Sequence, residues 1–383
     1  MIKKADVVVI GGGIAGVSVA YYLAEKSSGK FTVVLLEKRE IAEGTTAKSI
    51  GAVYYQHRTE VELCLTKKSI DLMRKLDEDP DNGINLKKIG LIYTAFTEEE
   101  VNNLKRDVEF QHSMGVKTRF LKPEEVKELM PDVGLEELTA ATYNPEDAYV
   151  DQYMLTSTLA KMAREKGVKI FTGTEAYDII LFNDSVEAVR TDKGDIEAPF
   201  VVNAGGPWAD RIFEMVNLIY PVQRVPGQIY AVKPEKKINY TVPLTIDTHS
   251  KFYFREETGN IILLGQIDTL YRSDRKDVNP DDYYGFKKMP DSEFQEFIYK
   301  SLEKRFPMLI EAELIRGWVG LRTVTPDNLP IIGETEVSGF LCSVGYSGQG
   351  IQLAPTAGEL IADFILNNNE QKELIALSIN RFV

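Results

Sequence analysis

Three glycines near the start of the chain have the spacing of a phosphate-binding turn. Gly11, Gly13 and Gly16 fit the pattern G-x-G-x-x-G and follow an apolar segment, residues 7–10. In this pattern the first glycine permits a tight turn, the second lets the backbone approach a pyrophosphate, and the third lets a helix pack on a strand. The following helix directs unpaired N–H groups and its positive dipole end at the phosphates. The chemistry expected here is binding of a dinucleotide.

An acidic residue gives this glycine pattern its context. Glu37 closes a second apolar segment and follows Gly16 by about 20 residues, the separation expected of a carboxylate that accepts hydrogen bonds from an adenosine ribose. The alternative is a glycine-rich turn between a strand and a helix, followed by a solvated glutamate. Strand, glycines, helix, second strand and acid occur in the expected order, so we interpret this region as a dinucleotide-binding unit.

A polar, glycine-containing connection follows Glu37. Thr45, Thr46, Lys48 and Ser49 lie in it and offer side-chain donors for a pyrophosphate. Loops of this length are functional or disordered in most proteins, and a merely solvated loop remains the competing interpretation.

The elements that must position these residues form two different patterns. Residues 176–203 predict a three-stranded meander, and residues 220–310 predict an antiparallel sheet that carries a long polar loop at 271–287. A glycine-rich segment at 345–350 then leads into a helix. The fold class expected is α/β, with a Rossmann-type domain interleaved with an α+β substrate domain built on an antiparallel sheet. We assign residues 1–80, 140–218 and 320–383 to the nucleotide domain and residues 81–139 and 219–319 to the substrate domain.

The composition excludes several classes of function. The chain has 383 residues and a formal charge of −13, which argues against nucleic acid as a partner because such binding needs basic patches. No apolar run is long enough for a transmembrane helix. Cys64 and Cys342 are the two cysteines, too few for a disulfide framework, and we expect a cytoplasmic protein. The three histidines show no metal-ligand spacing and there is no nucleophile elbow, so we expect neither a metal nor hydrolytic chemistry.

Four motifs, taken in order, resemble one family over the whole chain. They are VVVIGGGIAGVSVAYYLA at 7–24, EGTTAKSIG at 43–51, VVNAGGPWA at 201–209, and TPDNLPIIG with GYSGQGI at 325–351. The sequence resembles the FAD-dependent D-amino acid oxidase family, which includes glycine oxidase, D-amino acid dehydrogenase, the sarcosine oxidase beta subunit and dye-linked proline dehydrogenase. The resemblance implies an FAD cofactor.

The resemblance also implies which residues hold that cofactor. A helix beginning near Gly350 would direct its dipole at the flavin ring, where a reduced flavin gathers negative charge. The residues implied are Gly11, Gly13, Ile14, Ala15, Gly16 and Glu37 for the ADP half, Lys38, Thr45, Thr46, Ser49 and Gly205 for adenosine and pyrophosphate, and Gly345, Ser347, Gly348, Gln349, Gly350 and Ile351 around the ring.

Three positions depart from the family's patterns. Gly320 stands where some sarcosine oxidases attach flavin to a cysteine, so we expect FAD to be bound non-covalently. Leu263 aligns with a lysine that promotes reaction with oxygen in those oxidases, which favours a dehydrogenase, although glycine oxidase lacks that lysine too. Gln349 replaces a histidine found in many relatives, which leaves the hydrogen bonding beside the flavin open.

The resemblance further implies the residues that contact substrate. Arg322, in the phrase GLRTVTPD, matches the arginine that binds the substrate carboxylate in glycine oxidases, and its planar fork suits bidentate pairing with a carboxylate. Tyr54 lies where relatives place side chains over the ring, with a packed structural tyrosine as the alternative. Tyr253 alternates onto one face with His249, Lys251 and Arg255. That face either lines the cavity or is simply exposed.

These features together predict an FAD-dependent enzyme that oxidises the C–N bond of a small amino or imino acid by hydride transfer to flavin. A dye, a quinone or oxygen would then accept the electrons. The alternatives are a 2-hydroxyacid or glycerol-phosphate dehydrogenase on the same fold, or a flavin subunit of a multi-subunit electron-transfer complex. Both homo-oligomers and hetero-oligomers are compatible with the sequence.

Overall fold

A computed structural model describes residues 2–267, 277–286, 288–369 and 371–382. Within these residues the chain forms a six-stranded sheet, an eight-stranded sheet and two small three-stranded sheets. The strands in chain order are Val7–Ile10 (β1), Val33–Leu36 (β2), Ala52–Val53 (β3), Lys87–Lys88 (β4), Leu91–Ala95 (β5), Arg119–Leu121 (β6), Ala140–Asn144 (β7), Ala148–Tyr149 (β8), Lys169–Phe171 (β9), Ala176–Phe182 (β10), Ser185–Thr191 (β11), Ile196–Glu197 (β12), Phe200–Asn203 (β13), Gln223–Lys233 (β14), Leu244–Asp247 (β15), Phe252–Glu257 (β16), Ile261–Gln266 (β17), Glu313–Val324 (β18), Ile331–Glu334 (β19) and Phe340–Val344 (β20).

The α-helices contribute layers on both large sheets. In chain order they are Ile14–Ser27 (α1), Glu60–Asp77 (α2), Glu98–Ser113 (α3), Pro123–Leu129 (α4), Gln152–Glu165 (α5), Ala209–Glu214 (α6), Ser292–Arg305 (α7), Gly350–Asn367 (α8) and Lys372–Leu377 (α9). A capping box formed by Thr97 and Glu100 begins α3.

The six-stranded sheet has the strand order β19-β20-β13-β1-β2-β9. Its central strand β1 pairs in parallel with β2 on one side and with β13 on the other. Both β1 and β2 are buried at every position, which explains their uninterrupted runs of valine, leucine and isoleucine, because parallel strands are covered on both faces. The carboxyl ends of β1, β2 and β13 meet at one edge, where ligands bind in open α/β sheets.

Helices α1 and α8 cover one face of this sheet and cross at very close range. A Cβ placed on Gly358 of α8 would lie 2.6 Å from the backbone carbon of Ser18 in α1. This contact brings the glycine-rich loop before α8 next to the turn that follows β1.

The eight-stranded sheet has the order β18-β14-β17-β16-β15-β5-β7-β6. Its pairs are antiparallel except that β15 and β5 run in parallel. A buried ion pair between Arg305 Nε and Asp247 Oδ2, at 2.6 Å, joins α7 to this sheet. The long strand β18 extends from the sheet to the glycine-rich loop before α8, since the Ser347 amide donates to the Thr323 carbonyl at 2.8 Å.

The structure confirms the fold class and corrects one part of the prediction. Residues 176–203 do not form one meander, because the last segment divides into β12, which completes the small sheet, and β13, which pairs in parallel with β1. Parts of the predicted polar loop 271–287, namely residues 271–276 and 287, lie outside the described residues. The proposed domain boundaries stay a prediction.

Candidate functional site

A cavity of about 720 Å³ opens at the carboxyl ends of β1, β2 and β13. Its volume lies within the range of about 300–1,000 Å³ typical of ligand and cofactor sites. The predicted cofactor residues that line it are Gly11, Gly13, Ile14, Ala15, Glu37, Lys38, Thr45, Thr46, Ser49, Gly205, Gly348, Gly350 and Ile351.

Two of the predicted glycines shape the turn itself. Gly11 has φ +118°, and a Cβ there would lie 2.3 Å from the carbonyl oxygen of Ala204. A Cβ on Gly16 would lie 2.0 Å from the Gly11 oxygen. Gly16 does not line the cavity, and its role is to let α1 pack on the turn. Gly345, with φ +70°, does not line the cavity either, and it packs against Thr325.

The carboxylate of Glu37 is held in place at the cavity wall. Its Oε2 accepts a hydrogen bond from the Gly12 amide at 2.7 Å, and its Oε1 accepts one from the Arg39 amide at 2.8 Å. Burial raises the pKa of this carboxyl above its ordinary value, while these two backbone hydrogen bonds act in the opposite direction. Each oxygen keeps further lone pairs, so the group can still accept from a ribose hydroxyl.

The loop after β2 reaches both the turn and strand β18. Thr46 Oγ1 accepts from the Ile14 amide at 3.1 Å, and Thr45 Oγ1 donates to the Leu321 carbonyl at 2.8 Å. Lys48, considered from sequence as a pyrophosphate donor, instead lines a second cavity, and its ammonium donates to the Tyr283 carbonyl.

The segment 277–286 contacts one wall of the main cavity and was not predicted as part of the site. Asp281 accepts from Trp208 Nε1 at 2.7 Å and from Arg211 Nη1 at 2.8 Å. Burial acts to raise the pKa of this carboxyl, but these bonds dominate and lower it to about 2. Tyr284 and Trp208 both line the cavity, and the Lys38 ammonium lies 4.3 Å from the Trp208 ring centroid. Trp208 lies within the motif VVNAGGPWA, which could have identified it from sequence. Tyr284 lies in no such motif.

The second cavity, of about 180 Å³, adjoins the first, and both are lined by Thr45, Ser49, Arg322 and Gly348. It brings together the three residues predicted to act on substrate, which are Tyr54, Tyr253 and Arg322. The predicted ring contacts Ser347 and Gln349 line this cavity and not the larger one.

Arg322 occupies space that two glycines leave free. Its Cζ lies 3.2 Å from the position of a Cβ on Gly227, and its Cδ lies 3.2 Å from that of a Cβ on Gly348. Its Nη1 donates to the Gln266 carbonyl at 3.4 Å. The guanidinium is thereby held at the junction of the two cavities.

Tyr253 packs beside this guanidinium, and its ring lies directly against Gly265. Burial raises the pKa of the Tyr253 phenol above its ordinary value, although Arg322 and Arg255 oppose the shift. Burial also raises the pKa of Tyr54 to about 12. Both phenols therefore keep their protons at neutral pH and act as hydrogen-bond donors, not as bases.

The other residues on the face of Tyr253 do not reach the cavity. His249 Nδ1 lies 3.0 Å from Glu100 Oε1 near the surface, and Lys251 is exposed. Arg255 is buried with its guanidinium 4.0 Å from the Tyr149 ring centroid, and its Nε donates to the Ile50 carbonyl. The alternative of a simply exposed polar face is wrong for Tyr253 and Arg255.

Leu263, which the sequence aligns with the oxygen-promoting lysine of some oxidases, does not line either cavity. It is buried in a cluster with Ile229, Ala231 and Trp318. β17 presents this side chain to the same face of the sheet as the cavity-lining Ile229 and Tyr253, but farther along the strand than Gly265, which pairs with both. Leu263 does not itself line the cavity, so it does not indicate whether oxygen reacts with the site. Among the described residues, Lys48 is the lysine that lines the second cavity.

The family model described as "FAD dependent oxidoreductase" (DAO) matches residues 6–364. The chain belongs to this family. It is 30% identical to mitochondrial dimethylglycine dehydrogenase of Rattus norvegicus over 99% of this chain, and it spans 45% of that protein's length. It is 28% identical to glycine oxidase of Geobacillus kaustophilus, covering 100% of this chain and 98% of that protein.

The crystal structure of L-proline dehydrogenase from P. horikoshii superimposes with a TM-score of 0.89 at 29% identity, covering 100% of this chain and 98% of that one. These similarities confirm the predicted family.

The residues present fit FAD. The main cavity combines the glycine turn, the helix N-terminus of α1 and an acceptor at Glu37, which are the features that hold a dinucleotide. The glycine-rich loop before α8 joins this cavity to the second one, where Ser347, Gly348 and Gln349 would face the ring. FAD is the cofactor of the family, as predicted.

The described residues form neither a metal site nor a membrane-spanning helix. Within the described residues no group of three or more histidine, cysteine or acidic side chains is arranged to hold a metal ion. None of the helices formed by these residues is long and apolar enough to cross a membrane.

We predict that FAD is released intact when the protein is denatured. Gly320 has no side chain, and the methylenes of Lys48 occupy its surroundings, 3.1 Å from where a Cβ would be. Acid or heat precipitation should leave yellow flavin in the supernatant, identified as FAD by chromatography. Flavin that stayed with the precipitate would contradict this expectation.

Replacing Lys48 with methionine should change how stability depends on pH. Burial lowers the pKa of the Lys48 ammonium to about 8, whereas an unfolded lysine titrates near pH ~10.4. The unfolded parent therefore binds more protons than the folded parent between these values, so parent stability rises with pH in this window. Relative to Lys48→Met, the parent should gain about 1–2 kcal/mol between pH ~7.5 and ~9.5, measured by urea unfolding. Parallel stability curves would contradict the prediction.

Proposed function

We propose that this protein oxidises the C–N bond of a small amino or imino acid. Support comes from Arg322, a fixed guanidinium at the junction of the two cavities, where a substrate carboxylate could bind beside the cofactor. Guanidinium groups pair bidentately with carboxylates and cannot lose their proton in proteins. Dimethylglycine dehydrogenase, glycine oxidase and L-proline dehydrogenase, which this chain resembles, are named for substrates that are amino acids.

The walls of the second cavity favour a small, largely apolar substrate. Ile229, Leu244, Ile246 and Ile267 line it, together with the donors Tyr54 and Tyr253. None of the described residues that line it is aspartate, glutamate or histidine. A substrate ammonium would therefore find no anionic partner among these described residues, which favours binding of the neutral amine.

The proposed reaction uses the protein for orientation and electrostatics. When bound, FAD would supply the redox chemistry as the acceptor of the hydride. Arg322 would hold the carboxylate, and the phenols of Tyr253 and Tyr54 would donate to its free oxygen or to the amine. With the carboxylate fixed, the α-hydrogen faces one direction, and such orientation is a large part of catalysis. The neutral amine needs no base before hydride loss.

A dye-reduction assay against a panel of substrates tests this function. We expect the highest kcat/KM with a small amino or imino acid such as proline or an N-methylated glycine. A higher kcat/KM with 2-hydroxyacids or glycerol phosphate than with every amine would support the alternative dehydrogenase on the same fold. Measurement of native size, with and without co-purifying proteins, tests the alternative of a flavin subunit in a larger electron-transfer complex.

The electron acceptor remains part of the proposal. The preference for a dehydrogenase loses its support from Leu263, since Leu263 does not line the cavities. Stopped-flow reoxidation of the reduced protein by air and by a quinone or dye compares the acceptors directly. A cytoplasmic location, proposed from the cysteine content, is tested by cell fractionation.

A further inference from the structure

A buried carboxylate lies directly behind the glycine-rich loop that faces the second cavity. Glu62, in the first turn of α2, is only 8% exposed. Its Oε1 accepts a hydrogen bond from Gln349 Nε2 at 2.9 Å, and Gln349 lines the second cavity. Glu62 itself lines neither cavity, so it contacts the site through one side chain.

The contact with Glu62 orients the amide of Gln349. Because a carboxylate is only an acceptor, the Nε2 of Gln349 must face it, and Oε1 then points to Gln352, whose Nε2 donates to it at 3.1 Å. The Oε1 of Gln352 in turn accepts from the Tyr54 amide at 2.9 Å. Sequence left the hydrogen bonding of Gln349 open. In the structure its amide donates to Glu62 and accepts from Gln352.

The same carboxylate keeps its charge. Its Oε2 accepts from the Thr59 hydroxyl at 2.7 Å, and His57 Nδ1 lies 3.8 Å from Oε1. Burial raises the pKa of Glu62, but the contacts with His57, Thr59 and Gln349 outweigh it and hold the pKa below the ordinary value. Glu62 is an anion at neutral pH, in surroundings that exclude water.

Capping of α2 does not account for this arrangement. Thr59 caps the helix with its own hydroxyl, which accepts from the Glu62 amide at 3.3 Å. A capping glutamate would bond back to the backbone amide of the cap residue, whereas the Glu62 side chain bonds to the Thr59 hydroxyl and reaches across to Gln349. The side chain is directed at the site.

We propose that Glu62 is a positioning residue for Gln349 whose negative charge lowers the reduction potential of the bound FAD. A fixed anion close to the ring opposes the gain of electrons there, and the low-dielectric surroundings strengthen this effect. The proposal rests on FAD binding at this site and needs no knowledge of the substrate.

The test compares three variants loaded with FAD. Glu62→Gln keeps the size and the acceptor for Gln349 but removes the charge, whereas Glu62→Asp keeps the charge. Glu60→Gln makes the same charge change in the same turn of α2, at an exposed side chain that pairs with Lys372. Reduction potentials are measured by equilibration with a reference dye, without amino acid substrate.

We expect Glu62→Gln to shift the equilibrium at least tenfold toward reduced flavin, equal to about 30 mV for a two-electron couple. Glu62→Asp and Glu60→Gln should match the parent. Equal potentials in Glu62→Gln and Glu60→Gln would overturn the proposal, and so would an equal rise in Glu62→Gln and Glu62→Asp. Failure of the proposed amine oxidation would leave these potentials unaffected, so the two outcomes are distinguishable.

Discussion

Replacing Gly11 with alanine should abolish FAD binding at cofactor concentrations that saturate the parent. A Cβ at this position would lie 2.3 Å from the oxygen and 2.7 Å from the carbon of Ala204, both backbone atoms that cannot rotate away. The turn after β1 would have to separate from the end of the neighbouring strand β13, where Ala204 and Gly205 also line the cavity. Such overpacking costs about 1–3 kcal/mol, in addition to strain from φ +118° of about 1–2 kcal/mol.

The chain provides a matched control for this substitution. Gly194 has φ +116°, and no atom lies within 4 Å of the position of its Cβ. Gly194→Ala therefore introduces the same backbone strain without the clash at the cavity. FAD affinity, measured by flavin fluorescence on folded apoprotein, should be lost in Gly11→Ala and kept in Gly194→Ala. Equal affinities in the two variants would mean that the turn can move without harm to the site.

The features that sequence predicted correctly are those encoded by short local patterns. The glycine turn, the apolar strands β1 and β2 and the acid Glu37 lie within forty residues, and their spacing alone limits the geometry. Arg322 was assigned from the phrase GLRTVTPD that contains it, and it lies at the junction of the two cavities, but its role in binding substrate stays a prediction. Each of these predictions needed no knowledge of how distant segments meet.

The features that sequence missed depend on contacts between distant segments. Trp208 and Asp281 meet across 73 residues, and Glu62 and Gln349 meet across 287. Neither pairing leaves a periodic or spaced signal in the chain. Leu263 lies on the cavity face of its sheet but lines neither cavity, because sequence does not show how far along a strand a cavity extends. β13 was assigned to the wrong sheet because an apolar segment does not reveal its partner strand.

Removing the guanidinium of Arg322 should greatly reduce kcat/KM on the best amino acid and leave FAD content normal. Truncation of one partner in a hydrogen-bonded charge pair costs about 2–5 kcal/mol, which corresponds to a loss of about thirtyfold to several thousandfold. The variant should bind the substrate more weakly and orient its α-hydrogen less well, since the bound carboxylate holds the α-hydrogen in place. Tyr253 would remain as a neutral donor and could not replace the missing charge.

Two further variants separate charge from geometry. Arg322→Lys keeps the charge but cannot form two parallel hydrogen bonds, so it should recover only part of the activity.

Arg316 lies on the same strand, exposed, with its guanidinium 4.0 Å from the Phe286 ring centroid and outside both cavities. Arg316→Ala makes the same charge change there and should keep kcat/KM within about twofold of the parent. If Arg322→Ala behaved like Arg316→Ala, the carboxylate would bind elsewhere. A simple amine or hydroxyl compound would then be the better substrate hypothesis, because Arg322 is the group at the junction of the cavities that distinguishes amino acids from such compounds.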